Sequence, residues 1–285
     1  MRRSPSWSSA EVAATVADYV AMFKAELAGA PYSKADHRRR LIGKLDNRSE
    51  SAVERKHMNI SAILREAGLP FIDGYKPLAN YQESLRDAVL EVFALDRQLE
   101  ELIERRLGAT PASAPTPAAM GEALFEDPPE PEALAESVAG RKRQPVGRHF
   151  DYLEREAANR ELGTLGEEFV FNLERIRLRA VGLRDLSNRV EWTARDRGDG
   201  FGYDISSYDE SRRPLLIEVK TTNFQKRHPF LVTQNELLVS RERAMEYRVY
   251  RVFDFSNRPR CFVLTGAIDT SCRLAPTLYR ASPGR

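Results

Sequence analysis

The sequence predicts an α+β protein in two unlike parts: an N-terminal all-α bundle over 1–107, and an α/β sandwich around a mixed sheet over 148–285. Three observations carry that expectation. Apolar residues recur at helical spacing over 7–107, with serine-led caps ahead of several stripes. Seven of the chain's 16 prolines then fall within 108–147, among alanine, serine and glutamate, the composition of an extended, disordered linker. Beyond Phe150, long helical patterns alternate with short β-type runs.

Ser8-Ser9-Ala10-Glu11 is a capping box, and Val12, Val16, Tyr19, Phe23 and Leu27 form a helical stripe that stops at Gly29. Ser33 is placed to cap a second helix through Leu41 and Leu45. Ser51-Ala52-Val53-Glu54 heads a third, with Ile60, Ile63 and Leu64 on the face of Val53 and a stop at Gly68 and Pro70. A turn at 73–77 leads into a fourth helix bearing Leu85, Val89, Val92, Leu99 and Ile103. In the second part we expect a helix over 159–180 and strands over 190–194, 201–207 and 214–221. A helix headed by the capping box Thr233-Gln234-Asn235-Glu236 should run to about Tyr247, followed by strands over 248–255 and 260–265.

At 285 residues the chain is long enough for two modest cores. No apolar run approaches the roughly 18 residues of a membrane span. The opening MRRSPSWSSAEV lacks the apolar stretch of a secretory signal. Cys261 and Cys272 are too few for a disulfide framework or a zinc site, so a reducing, cytoplasmic setting is expected. The net charge of +2 makes no global case for nucleic acid. Local clusters do: Arg38, Arg39 and Arg40 with Lys44 and Arg48, then Arg55 and Lys56, are candidate DNA contacts, with solvated helix faces as the plainer account. The run 141–143 (Arg-Lys-Arg) reads as a solvated charge run.

The chemistry concentrates in Gly198-to-Asn223. Side chains alternate along a strand, so Glu218 and Lys220 share one face while Leu215, Ile217 and Val219 take the other. A turn through Asp209-Glu210-Ser211 would join two adjacent strands and set Asp204 beside Glu218. Two carboxylates and a lysine suit a divalent cation and the water it activates, which points to phosphodiester hydrolysis. Glu-x-Lys alone would read as a cross-strand ion pair; the combination is what carries the chemistry. Glu167 adds a carboxylate from a helix, with a rival account as the capping partner of Thr164. Glu236 first of all closes its capping box, and Gln234 and Glu236 are accessory candidates bordering the site. Gly198-Asp199-Gly200-Phe201-Gly202 precedes a strand rather than a helix, so no nucleotide cofactor is expected. No histidine sits at a metal-ligand spacing.

The region from Asp151 to about Gly266 resembles the NO VEIN C-terminal domain family, of the PD-(D/E)xK nuclease superfamily. The matching residues are Leu162-Gly163-Thr164-Leu165-Gly166-Glu167, Gly202-Tyr203-Asp204-Ile205, Ile217-Glu218-Val219-Lys220-Thr221-Thr222, the run from Pro229 to Glu236, and Tyr247-Arg248-Val249-Tyr250-Arg251-Val252. The residues from Asn47 to Ala62 are similar to the helical module ahead of nuclease domains in bacterial restriction-type endonucleases. The resemblance implies a restriction-endonuclease-like sandwich and an Mg²⁺-dependent DNA endonuclease of the restriction or defence type, with Mn²⁺ as an alternative ion. It assigns Asp204, Glu218 and the carbonyl of Val219 to the metal, Lys220 to the water and the phosphate, and Glu167 to the metal shell. The proline of the superfamily motif is missing, and Tyr203 precedes Asp204. Cutting both strands would suit a homodimer. The alternative, from another class, is a catalytically inactive module that uses the same fold to bind nucleic acid or protein.

Overall fold

A computed structural model of the chain describes residues 6–117, 124–130 and 152–277. Among these residues it is an α+β protein with eleven α-helices and one four-stranded mixed sheet. The bundle comprises α1 (Ser9–Leu27), α2 (Lys34–Ile42), α3 (Glu50–Glu66), α4 (Glu83–Leu95) and α5 (Arg97–Leu107). Helix α1 is its hub and packs on the other four. Val12, Val16, Tyr19 and Phe23 meet Ile60 and Leu64 of α3, Leu85 and Val89 of α4, and Leu99 and Ile103 of α5 in one buried core. The Ser8 capping box forms as expected.

Two boundaries differ from expectation. Helix α3 is capped by Ser49, whose hydroxyl accepts from Ala52 N at 3.2 Å, so it begins one residue before Ser51. The expected fourth helix is two. Asp96 is extended (φ −82°, ψ 91°), and its carboxylate accepts from Leu99 N at 3.0 Å to start α5.

In the second part, α6 (Tyr152–Ala158) precedes α7 (Arg160–Ala180), which Asn159 caps through Leu162 N at 3.2 Å. Helix α6 is additional to the expected elements. Short helices α8 (Arg184–Ser187) and α9 (Thr193–Arg197) lead to β1 (Ile205–Tyr208) and β2 (Pro214–Thr221). Helix α10 (Gln234–Glu242) then crosses to β3 (Tyr247–Phe253), β4 (Arg260–Thr265) and α11 (Ile268–Ser271). The sheet order is β1-β2-β3-β4: an antiparallel hairpin, a parallel β2–β3 pair, then an antiparallel pair.

The strand expected over 190–194 shrinks to a single bridge, Glu191 with Ser206, before the chain turns into α9. The strand expected over 201–207 begins only at Ile205, because Gly198 (φ 98°) and Gly202 (φ 74°) wrap the preceding residues into a 3₁₀ turn. Helix α10 ends at Glu242, five residues short of Tyr247, which opens β3 instead.

Both faces of the sheet are covered. Ile217 and Val219 of β2 and Tyr250 and Val252 of β3 pack with Phe169, Val170 and Leu173 of α7. On the opposite face Leu216, Tyr247 and Val249 pack with Ile268. The parallel pair therefore reads as near-continuous apolar sequence, as strands buried on both sides do.

Described stretches of the expected linker lie against the second part. Leu124 is buried, Phe125 bridges Cys261, and Glu126 pairs with Lys226 at 3.0 Å and with Arg260. Arg106, near the end of α5, donates to the carbonyl of Asn223 at 2.8 Å and pairs with Asp254. Asn223 in turn donates to the carbonyl of Ala109 at 2.6 Å. Residues 118–123 and 131–147, including the run 141–143, fall outside the described residues. No helix among the described residues is long and apolar enough to cross a membrane.

Candidate active site

The hairpin sets the site. Ile205 pairs with Ile217, so Asp204 follows on beside Glu218 at the open end of the β1–β2 ladder. The main chain holds Asp204 there: its N–H donates to Ile217 O at 2.9 Å, and its carboxylate accepts from Val219 N at 2.7 Å. Gly202 fits because a Cβ would fall 2.8 Å from a methyl of Val239 on α10, and because its φ is positive. Its carbonyl accepts from the Tyr247 hydroxyl at 2.8 Å, which ties this loop to β3.

Glu218 is 4% exposed, and Lys220 reaches back to it at 2.8 Å. Lys220 also pairs with Glu236 of α10 at 2.8 Å. Glu236 thus serves twice, because its capping box with Thr233 is formed as well. Gln234 is exposed at the start of α10. Glu167, on the second turn of α7, accepts from the Trp192 indole at 2.7 Å. The helix can come this close to β2 because Gly166 faces Thr221: a Cβ on Gly166 would stand 2.8 Å from the Cβ of Thr221.

The electrostatics follow from crowding acids in a dry place. Burial, reinforced by Glu167, pushes the pKa of Asp204 up to about 7, against the hydrogen bond from Val219 N. Burial lifts Glu218 well above the carboxylate range, with Lys220 opposing and Asp204 and Glu236 adding to the rise. Burial likewise raises Glu167, against the Trp192 hydrogen bond and with Glu218 adding. Burial alone would lower Lys220, but Glu218 and Glu236 outweigh it and hold the ammonium above the ordinary lysine value. Lys220 is a fixed cation among acids.

Among the described residues no group of three or more His, Cys, Asp or Glu side chains is placed to hold a metal ion. The donors expected from the sequence, the carboxylates of Asp204 and Glu218 with the main-chain oxygen of Val219, offer two acids at most. Oxygen donors from desolvated acids that repel one another fit a hard cation such as Mg²⁺, which binds through one or two carboxylates and keeps several waters.

Residues 166–264 match the family model for Protein NO VEIN, C-terminal. The NO VEIN C-terminal match begins at Gly166, spans β1 to β3 and most of β4, and contains Glu167, Asp204, Glu218, Lys220 and Glu236. The helical bundle lies outside it. No curated protein and no solved structure matches the chain.

The basic residues of the bundle divide. Arg39, Arg40, Lys44 and Arg55 are exposed. Arg38 lies against Glu50 at 3.0 Å and Glu54 at 3.3 Å. Arg48 and Lys56, expected as DNA contacts, are turned into the bundle instead. Arg48 pairs with Glu11 at 2.7 Å and lies over the Trp7 ring, and Lys56 is buried with its ammonium 3.0 Å from Gln82. Burial lowers the pKa of Lys56 to about 8.

Sequence reasoning missed two features of this region. Trp192 bonds Glu167 across two segments, and the only local signal was its aromatic side chain in an apolar-polar alternation. Arg251 sits at the centre of β3, buried at 1% exposure, and its signal was an arginine inside the otherwise strand-like run Tyr247–Phe253.

Proposed function

We propose that the second part of the chain hydrolyses phosphodiester bonds in DNA with Mg²⁺ (or Mn²⁺), as a restriction- or defence-type endonuclease. The observation that carries this reading is the convergence of Asp204, Glu218 and Lys220 from adjacent strands, with Glu167 drawn in from α7. Asp204, Glu218 and the carbonyl of Val219 are the groups that would hold the ion, which when bound polarises the phosphate and acidifies its water.

The chain's own residues supply the rest. Val219 N–H fixes the orientation of Asp204, and Trp192 fixes that of Glu167. Lys220 stays protonated, so it acts as a cation: it can donate to the attacking water and to phosphate oxygens as charge builds on them. A lysine that holds its proton this firmly is no general base. The exposed Arg39, Arg40, Lys44 and Arg55 give the bundle a face for the DNA backbone. That fits its resemblance to the module ahead of restriction-type nucleases, and the enzyme would act as a homodimer if it cuts both strands.

One observation favours the second reading, a non-catalytic binding module: Lys220 already closes ion pairs with Glu218 and Glu236, so the cation a phosphate would need is engaged by the site's own acids. Incubating modified and unmodified plasmid with the purified protein separates the two readings. Nicking in Mg²⁺ that stops in EDTA supports the nuclease. Intact plasmid in every lane, with DNA still retarded on a gel, supports the binding module.

A further inference from the structure

The segment joining the two parts carries one sign of charge. Residues 108–140 contain six acids, Glu122, Glu126, Asp127, Glu130, Glu132 and Glu136, and no lysine or arginine. The described stretch 124–130 lies against cations of both parts. Glu126 meets two at once: Lys226, in the loop after β2, at 3.0 Å on Oε2, and Arg260, which opens β4, on Oε1. Glu130 pairs at 3.0 Å with Lys76, from the turn between α3 and α4, and its carbonyl accepts from Arg227 at 3.4 Å.

These cations flank the end of the sheet that carries Lys220. Lys226 and Arg227 belong to the loop whose Phe230 and Leu231 border a cavity together with Lys220. Arg260 is the register partner of Phe253, where β3 ends. Two cations held this close repel each other unless an anion lies between them. Burial would raise the Glu126 carboxyl, yet Lys226 and Arg260 outweigh it and hold it below the ordinary carboxylate range. An acid gripped by a separate cation at each oxygen makes the contact a backbone phosphate would make in its place. The site is open to solvent as well, with the side chains of Lys226 and Arg260 30% and 28% exposed.

The hold on the segment is uneven. Buried Leu124 and the bond from Glu126 N to Cys261 O, at 2.9 Å, anchor its start. Past Glu126, the hydrogen bonds and ion pairs among the described residues are those with Lys76 and Arg227. The Glu130 side chain is 84% exposed, so its ion pair contributes little and yields readily to a stronger anion.

We propose that Lys226 and Arg260, with Arg227 and Lys76, form a binding surface for the phosphate backbone of DNA, and that segment 124–130 is its internal occupant, which DNA displaces. The choice of DNA as ligand rests on the function proposed above; cutting plays no part in the binding.

Glu126→Gln with Glu130→Gln tests this, because the amides keep the shape of the side chains and remove the charge that competes with DNA. Binding of a labelled duplex by the full chain, in EDTA at low salt, should tighten at least about fivefold, and the salt slope should steepen by about one for each phosphate newly neutralised. Adding Lys226→Gln and Arg260→Gln to that variant should return the affinity to the parent's or below. Asp87→Asn with Glu91→Gln removes the same charge from exposed positions on α4, and should change affinity by less than about twofold once salt screens distant charges. Glu130→Gln alone, at so exposed a position, leaves the fold intact and should show part of the gain. No gain by the double variant, an equal gain from the α4 control, or a gain that survives the loss of Lys226 and Arg260 overturns the inference. Plasmid cleavage by the parent in Mg²⁺ is read separately. Cleavage without the gain retires this surface alone, and the gain without cleavage retires the nuclease reading alone.

Discussion

Asp204→Asn should stabilise the metal-free protein at pH 8 and leave it inactive. The amide keeps the shape of the side chain and can still accept from Val219 N, at 2.7 Å in the parent, while the buried charge is removed. In effect it imitates the protonated acid. The rise from 3.8 to about 7 is about three pKa units, which at about 1.4 kcal/mol each sets a ceiling of about 4 kcal/mol. Asp204 is partly exposed, so solvent screens part of this, and roughly 2 kcal/mol is expected to remain. The sign follows from proton counting. A raised native pKa means the folded state holds a proton that the unfolded state has lost, so parent stability falls as pH rises from about 4 to about 7. Asp204→Asn removes the share of that fall that belongs to Asp204, while Glu218 and Glu167 keep theirs. Urea melts in EDTA at pH 4, 6 and 8 should show the two proteins converging at the acid end and separating by about 2 kcal/mol at pH 8. Equal stabilities across the range, or a less stable variant at pH 8, would refute the argument that Asp204 is held against its own burial and the neighbouring acids.

Three further outcomes follow from the packing. Gly166→Ala should cost about 1–3 kcal/mol in thermal or urea melts, because its Cβ must push Thr221 or part α7 from β2. Arg48→Met should lower stability at pH 7 by roughly 2 kcal/mol while leaving DNA affinity unchanged, because Arg48 serves Glu11 inside the bundle. The Arg48 hydrogen bond holds Glu11 down at about 2, so that stability is present above about pH 4.5 and is lost as pH falls through about 2, where parent and variant should meet. Replacing the exposed Arg39 and Lys44 with alanine should flatten the salt dependence of DNA binding, lowering the slope by about one for each phosphate no longer neutralised; an unchanged slope would make that face merely solvated.

How much was legible follows from how local each cause is. Strands β2 and β4 match the expected ranges because their sequence period and composition alone say strand. The Ser8 and Thr233 capping boxes are equally local. The sequence pointed to Ser51, with Glu54 three residues on, and only the fold shows that the hydroxyl meeting an amide is that of Ser49. The break at Asp96 was hidden because the apolar stripe runs on through Leu99 and Ile103 as though one helix continued. The run at 190–194 alternates like a strand, yet Glu191 alone finds a partner, Ser206. In the site, the shared face of Glu218 and Lys220 could be read from the period of a strand. The second ion pair of Lys220, with Glu236, depends on α10 folding back over the sheet. The basic cluster could be read only as charge: Arg48 finds Glu11 across 37 residues, a distance no local pattern reports.

The most direct test of the central claim is single-turnover cleavage of end-labelled duplex DNA in Mg²⁺ by the parent and by Lys220→Met, with DNA binding measured in parallel. The account predicts that Lys220→Met binds DNA as the parent does and loses cleavage by at least about 100-fold, the scale of removing one preorganised group that stabilises developing charge. Parent-like cleavage by Lys220→Met, or no Mg²⁺-dependent cleavage by the parent on any duplex it binds, would contradict it.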